Sequence, residues 1–271
     1  MLSRIRGAAF ITLVAMGVAA IASCRAEAQQ STLEVVKERG TLIAGVKSDY
    51  PPFGYIEQGG NLVGFDIEIM KYLAKRLGVK LDLRPVSSAN RIPMLQGKTV
   101  DVICASMGIT KDRVKAVDFT VPYILGETKF LVKKGSGIKG YADLADKTIV
   151  YTQGTPWGDA IKREQPKAKP LVFQDKPQAV IAVQQGRADA YVDDAAPILI
   201  FAQQHKELEA VGEAAPPAPL GIAVRLNDPV WRNEINFALI DAWQDGTYLK
   251  LYRQFFGEDP NPKFAIYSWT Y

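Results

Sequence analysis

Histidine and cysteine are nearly missing from this chain. It holds one histidine, His205, and two cysteines, Cys24 and Cys104. No His/Cys/carboxylate cluster emerges from so few soft ligands, and neither a metal nor another cofactor is expected. The lone histidine follows a helical run among Gln and Lys, where a solvated surface residue is the natural reading. Around it no Ser/His/Asp constellation can form. Charge of one sign is scarce as well. Lys and Arg number 33 against 29 Asp and Glu, leaving +4 with no Lys/Arg run, too little to argue for nucleic acid. What is present is ordinary globular material. With 48% apolar and 23% charged residues over 271 positions, the chain can build one large or two medium domains.

The first thirty residues stand apart. Arg4 and Arg6 make a basic start, residues 8–22 are apolar but short for a membrane span, and small residues follow, as in a secretory signal. Two exits fit. Ala26-Glu27-Ala28 is an A-x-A site that would release a chain beginning near Gln29. Ile21-Ala22-Ser23-Cys24 resembles the lipid-attachment box of bacterial lipoproteins. The first is preferred because a polar start follows it directly, which makes residues 1–28 a signal peptide; anchoring at Cys24 stays open. Loss of Arg4, Arg6, Arg25 and Glu27 leaves 30 basic and 28 acidic residues. One thiol then remains. Cys104 lies in the apolar run VDVIC and reads as a small core residue without a disulfide partner.

Beyond the leader, short apolar runs alternate with amphipathic ones. TLIAGV reads as a strand. GFDIEIMKYLAKRLG reads as a helix: Asp66 can cap its first turn, Met70, Leu73 and Leu77 share a face, Lys75 and Arg76 suit its negative end, and Gly78 stops it. KLDLRPV is a second strand, residues 88–95 a short helix, and TVDVICAS a third strand. After FLVKKGSGI a similar β/α series restarts through KTIVYT, TPWGDAIKRE, KPLVF, PQAVIAVQQG, ADAYV and APILIFAQQHK. GEAAPPAPLG is a Pro-rich connector, GIAVR is strand-like, and two amphipathic helices close the chain. This order predicts an α/β protein of two lobes, each a mostly parallel sheet flanked by helices. The last helices need a partner, and the simplest arrangement returns them to the first unit. Lobe 1 is then 31–131 plus 223–271 and lobe 2 is 132–222. Two crossings, near 130–134 and 220–225, make a hinge with a ligand cleft between the lobes.

Several charged residues sit in odd places. Arg113, in GITKDR, falls in what reads as the first turn of a helix capped by Thr110. The helix dipole disfavours a cation there unless it reaches an anion. Arg91, in SANRIPMLQ, shows the same oddity. Thr155 in QGTPWGDA can cap another helix start with Pro156 behind it. Each has a plain alternative: a solvated arginine, or an ordinary helix start. ADAYVDDAAP places Asp193 and Asp194 at the C-terminal end of a strand, where open α/β sheets bind ligands. Only one of them can cap the following helix. Lys47, in GVKSDYPPF, stands at the mouth of an apolar strand; a side chain reaching water at the rim is its plain alternative.

GFDIEIMKYLAKRLG, GITKDR with AVDFT, QGT and GRADAYVDD follow the order and spacing of the polar-amino-acid family of bacterial periplasmic solute-binding proteins. The resemblance covers the chain from about Thr32 onward. It implies a two-lobed fold closing on a free amino acid. Arg113 would clamp the α-carboxylate, with Ser106, Gly108 and Thr155 bonding to the same end. Asp194 would take the α-ammonium, and Tyr50 would pack on the ligand body. Pro156 and Gly108 depart from the family's pattern, each standing where some members carry a hydroxyl.

GVKSDYPPF and NRIPMLQ look like members that take aspartate or glutamate. Lys47 and Arg91 are therefore expected to hold a side-chain carboxylate. Three cations against Asp194 leave an excess that a neutral ligand would not pair. The implied partner is the membrane permease of an ATP-driven importer, the implied place the periplasm, and the implied state a monomer. A binding protein for a neutral polar amino acid is an alternative. Another is a dehydratase of cyclic acids such as prephenate or arogenate on the same fold, with Asp193 or Glu127 as general acid. A receptor's sensory domain is a third, for which a signalling segment is missing up to Tyr271.

Overall fold

A computed structural model describes residues 30–212, 218–262 and 264–266. The signal-peptide reading, Cys24, and residues 213–217 of the Pro-rich connector lie outside them. Among the described residues, no helix is long and apolar enough to cross a membrane.

Two five-stranded sheets organise the chain. In the first, the order is Lys80–Pro85, Thr41–Val46, Val102–Ile103, Ala223–Val224, Asp118–Phe119. In the second it is Lys169–Phe173, Thr148–Thr152, Ala190–Asp194, Thr128–Lys133, Leu208–Val211. Each sheet has one strand running against the rest. In the first it is Ala223–Val224, antiparallel to both neighbours. In the second it is Thr128–Lys133, likewise antiparallel to both. Those are the strands that follow the two passages between sheets. The passages pair as a ribbon, Ile124–Gly126 against Ala218–Leu220. The expected boundary at residue 131 falls inside Thr128–Lys133, so the sheets part ahead of it, between Phe119 and Thr128.

Side-chain alternation assigns the layers. In the second sheet Phe130, Val132, Ile149 and Val192 pack to one face with Trp157 and Ile161 of the helix Trp157–Glu164. Their neighbours Leu131, Val150 and Tyr191 pack to the other face, under Lys176–Gln184 and Ala195–Gln204. This period of two is what a sheet covered on both sides requires. The first sheet carries Phe65–Leu77, Pro229–Gln244 and Thr247–Phe256 on one face, around Phe65, Met70, Trp231 and Tyr248. Each such large apolar side chain contributes about 1.5–3 kcal/mol on full burial. The terminal helices thus pack on the first unit, with the Tyr248 hydroxyl donating to the Tyr123 carbonyl at 2.6 Å. Cys104 is a free, buried thiol.

Candidate functional site

Between the sheets lies a cleft to which both contribute. Arg91, Ser106, Gly108 and Arg113 line it from one side, and Thr155, Trp157, Lys176, Asp193 and Asp194 from the other.

Arg91 opens the short helix Arg91–Gln96, whose N-cap Asn90 makes no side-chain capping bond. It is 3% exposed, and its Nη1 donates to the Ala105 carbonyl at 2.7 Å. Its Nε has no hydrogen-bond partner among the described residues. Burial, and then the Arg113 charge beside it, work against this cation and pull its pKa down to about 9. A buried guanidinium left this way favours any carboxylate placed against it.

Arg113 differs from its expected setting. The stretch after Thr110 is a single 3-10 turn, Arg113–Lys115, because the chain enters the strand Asp118–Phe119 almost at once. Thr110 Oγ1 does accept from the Arg113 amide, at 3.2 Å, but the turn is too short to carry a helix dipole. The guanidinium is placed by carbonyls instead. Nη1 donates to Gly108 at 2.7 Å and Nη2 to Gly154 at 2.9 Å, the second contact crossing the cleft. Burial lowers its pKa, and Asp194 opposes that shift.

Thr155 does not cap the next helix. Pro156 occupies the N-cap position, and Thr155 Oγ1 donates to the Thr152 carbonyl at 2.6 Å.

The two aspartates end the strand Ala190–Asp194. Asp194 sits at the N-cap of Ala195–Gln204 without a side-chain capping bond, so capping does not account for its carboxylate. Burial and the neighbouring Asp193 charge raise it to about 6. Asp193 is 2% exposed and densely held. Lys176 Nζ and the Tyr191 hydroxyl donate to its Oδ2, and Trp157 Nε1 donates to Oδ1 at 3.3 Å. Burial, the largest influence, would raise its pKa; the Lys176 charge and the hydrogen bonds from Lys176, Tyr191 and Tyr50 together outweigh it and leave it lowered.

Tyr50 and Lys47 lie behind this lining rather than in it. The Tyr50 hydroxyl is 2.8 Å from Asp193 Oδ1 and 2.8 Å from Asp194 Oδ2, sharing one proton between two acceptors. Its ring stacks on Phe53 and lies under the Lys176 ammonium, 3.5 Å from the ring centre. Lys47 is buried and paired with Asp49 at 3.1 Å, so it does not reach out to water. Burial lowers its ammonium to about 8, opposed by Asp49 and reinforced by Lys176 and Arg91.

Lys176 is the charged lining residue that sequence reasoning missed. It is 2% exposed and opens the helix Lys176–Gln184, whose N-cap Asp175 accepts from the Gln178 amide at 2.9 Å. A cation in a first helical turn was the oddity that drew attention to Arg91, and it was there in QDKPQ too.

Residues 42–258 match the family model described as bacterial extracellular solute-binding proteins, family 3. The glutamine-binding protein GlnH of an ABC transporter of Bacillus subtilis is 34% identical over 86% of this chain and 88% of its own length. The L-cystine-binding protein TcyJ of Escherichia coli is 32% identical over 90% of this chain and 95% of its own. Among solved structures, an ancestral amino acid-binding protein, titled a precursor of cyclohexadienyl dehydratase, superposes with a TM-score of 0.78. It is 38% identical and covers 83% of this chain and 100% of its own. A cleft lined by both sheets and this sequence match agree: the chain belongs to family 3 of the bacterial extracellular solute-binding proteins.

Proposed function

We propose that this protein captures an acidic amino acid, aspartate or glutamate, between its lobes and delivers it to the permease of an ABC importer from the periplasm. The carrying observation is the charge of the lining. Three cations, Arg91, Arg113 and Lys176, face two carboxylates, Asp193 and Asp194. Lys176 and Asp193 pair with each other. That leaves two guanidiniums and one carboxylate for a ligand. An acidic amino acid offers the complement, two carboxylates and one ammonium. In this reading Arg113 takes the α-carboxylate with Ser106, Gly108 and Thr155 near it, and Asp194 takes the ammonium. Arg91 takes the side-chain carboxylate, with Lys47 and Lys176 adding to the field. Tyr50 orients the two aspartates. Closure needs no chemistry: a ligand touching both lobes stabilises the closed arrangement, and a monomer suffices.

A neutral polar ligand is the second reading, favoured by the glutamine and cystine named in the relatives. A dehydratase is less well supported. Asp193, held below its ordinary value by Lys176, is a poor general acid, and Glu127 is exposed and borders a different hollow.

Mass spectrometry of the small molecules released on denaturing the purified protein tests the reading. Aspartate or glutamate, at about one per chain, is expected; glutamine or cystine in their place would favour the second reading.

A further inference from the structure

The strongest sequence motif, GFDIEIMKYLAKRLG, has no part in the cleft lining, and its aspartate is not the helix cap it was expected to be. Gly64 is the N-cap of Phe65–Leu77, with no side-chain capping bond. Asp66 instead points into the protein and is fully buried. Its Oδ2 accepts from the Ser106 amide at 2.9 Å and its Oδ1 from the Tyr123 hydroxyl at 2.8 Å. The Cys104 thiol adds a third donor. Burial pushes this carboxyl up to about 7, although all three donors pull the other way.

A carboxylate buried without a salt bridge is costly, and donors from three separate residues offset part of that cost. One of the three is unusual. Ser106 has φ 43, in the left-handed region that a residue with a β-carbon enters at a cost of about 1–2 kcal/mol. Ser106 lines the cleft, and two residues on, Gly108 gives its carbonyl to Arg113.

We propose that Asp66 is a positioning residue for ligand binding: by holding the Ser106 amide it keeps the 104–108 loop in its left-handed turn and so sets Ser106, Gly108 and Arg113 for the ligand. It touches no ligand itself. The proposal rests on the cleft being an amino-acid site, yet the anchoring can be read without ligand.

Three variants and two measurements test it. Amide hydrogen exchange at Ser106 needs no ligand. It should accelerate by about tenfold or more in Asp66→Ala, by less in Asp66→Asn, whose amide oxygen still accepts, and by less than about twofold in Tyr123→Phe. Glutamate affinity by calorimetry should follow the same order: a loss of about tenfold or more, of about threefold, and of less than about twofold. Tyr123→Phe removes a donor to the same buried carboxylate, and the hydroxyl's own contacts with Cys104 and the Ser106 backbone, but leaves the Asp66 carboxylate on the Ser106 amide, so its loss of stability calibrates the effect of the surrounding contacts. Should Asp66→Ala not fold, Asp66→Asn against Tyr123→Phe decides. Asp66→Asn at wild-type exchange and affinity would overturn the proposal, as would equal losses in Asp66→Asn and Tyr123→Phe. If the wild type binds no amino acid, the proposed function fails, and the exchange data still judge the anchor.

Discussion

The carbonyl oxygen of Ser88 lies 2.4 Å from where a β-carbon would stand on Gly154. Ser88 follows a strand of the first sheet and Gly154 a strand of the second, so this approach joins the lobes. Gly154 also has φ 78 and gives its carbonyl to Arg113 across the cleft. Closure at this point therefore needs a residue without a side chain. Gly154→Ala is expected to hold the lobes apart and weaken ligand binding by about tenfold or more, while costing only about 1–2 kcal/mol of stability through its backbone conformation. Calorimetry with small-angle scattering, with and without ligand, checks both halves; normal compaction on ligand addition would refute the first.

Arg91 should separate acidic from neutral ligands. Arg91→Met keeps most of the stem's volume and removes the cation. Glutamate affinity is expected to fall about 100-fold, or about 2.8 kcal/mol, and glutamine affinity by less than about tenfold. Stability should hold or rise, because a buried guanidinium whose Nε has no hydrogen-bond partner among the described residues is lost. Equal losses for both ligands would remove Arg91 from the side-chain pocket.

Binding should have an acid limb and an alkaline limb. Asp194 sets the first. Its carboxyl is raised to about 6 by burial and Asp193, and a ligand ammonium beside it would favour the ionised form. Affinity is then full above about pH 6 and falls as pH drops through it, by up to about a decade per unit. Lys47 sets the second. Its ammonium is lowered to about 8 by burial, and an anionic side chain would favour the charged form. Affinity is full below about pH 8 and weakens above it. Titrations from about pH 5 to about pH 9 read both limbs. Lys47→Met should lose the alkaline limb and keep the acid one.

Lys176 and Asp193 should behave as a buried pair. Lys176→Met leaves the Asp193 charge unpaired and is expected to cost about 3–5 kcal/mol in denaturant unfolding. Adding Asp193→Asn should recover most of that loss, since Tyr50, Tyr191 and Trp157 still surround the amide. Additive losses would show that the two act independently.

The local patterns were legible because they depend on neighbours in sequence. Thr41–Val46, Phe65–Leu77 with its left-handed Gly78, and Ala190–Asp194 all follow from periodicity and stop signals. Arg91 stood out because a cation is odd in a first helical turn, and Asp194 because it ends a strand where open α/β sheets bind ligands. What failed depends on distant partners or on how soon the chain turns. Asp66 finds its donors at Ser106 and Tyr123, far along the chain, and no local pattern points there. The turn after Thr110 stops within three residues, so the expected helix never forms. The reach of the Tyr50 hydroxyl to two aspartates of the other sheet exists only once the lobes meet, so nothing local to Tyr50 pointed to it.

The decisive comparison is calorimetric: glutamate and aspartate against glutamine, cystine and arginine, on one preparation at neutral pH. If the lining carries one positive charge in excess, as Arg91, Arg113 and Lys176 against Asp193 and Asp194 imply, an acidic ligand binds at least about 100-fold more tightly than its amide, and arginine barely binds. Glutamine or arginine binding as tightly as glutamate would contradict it.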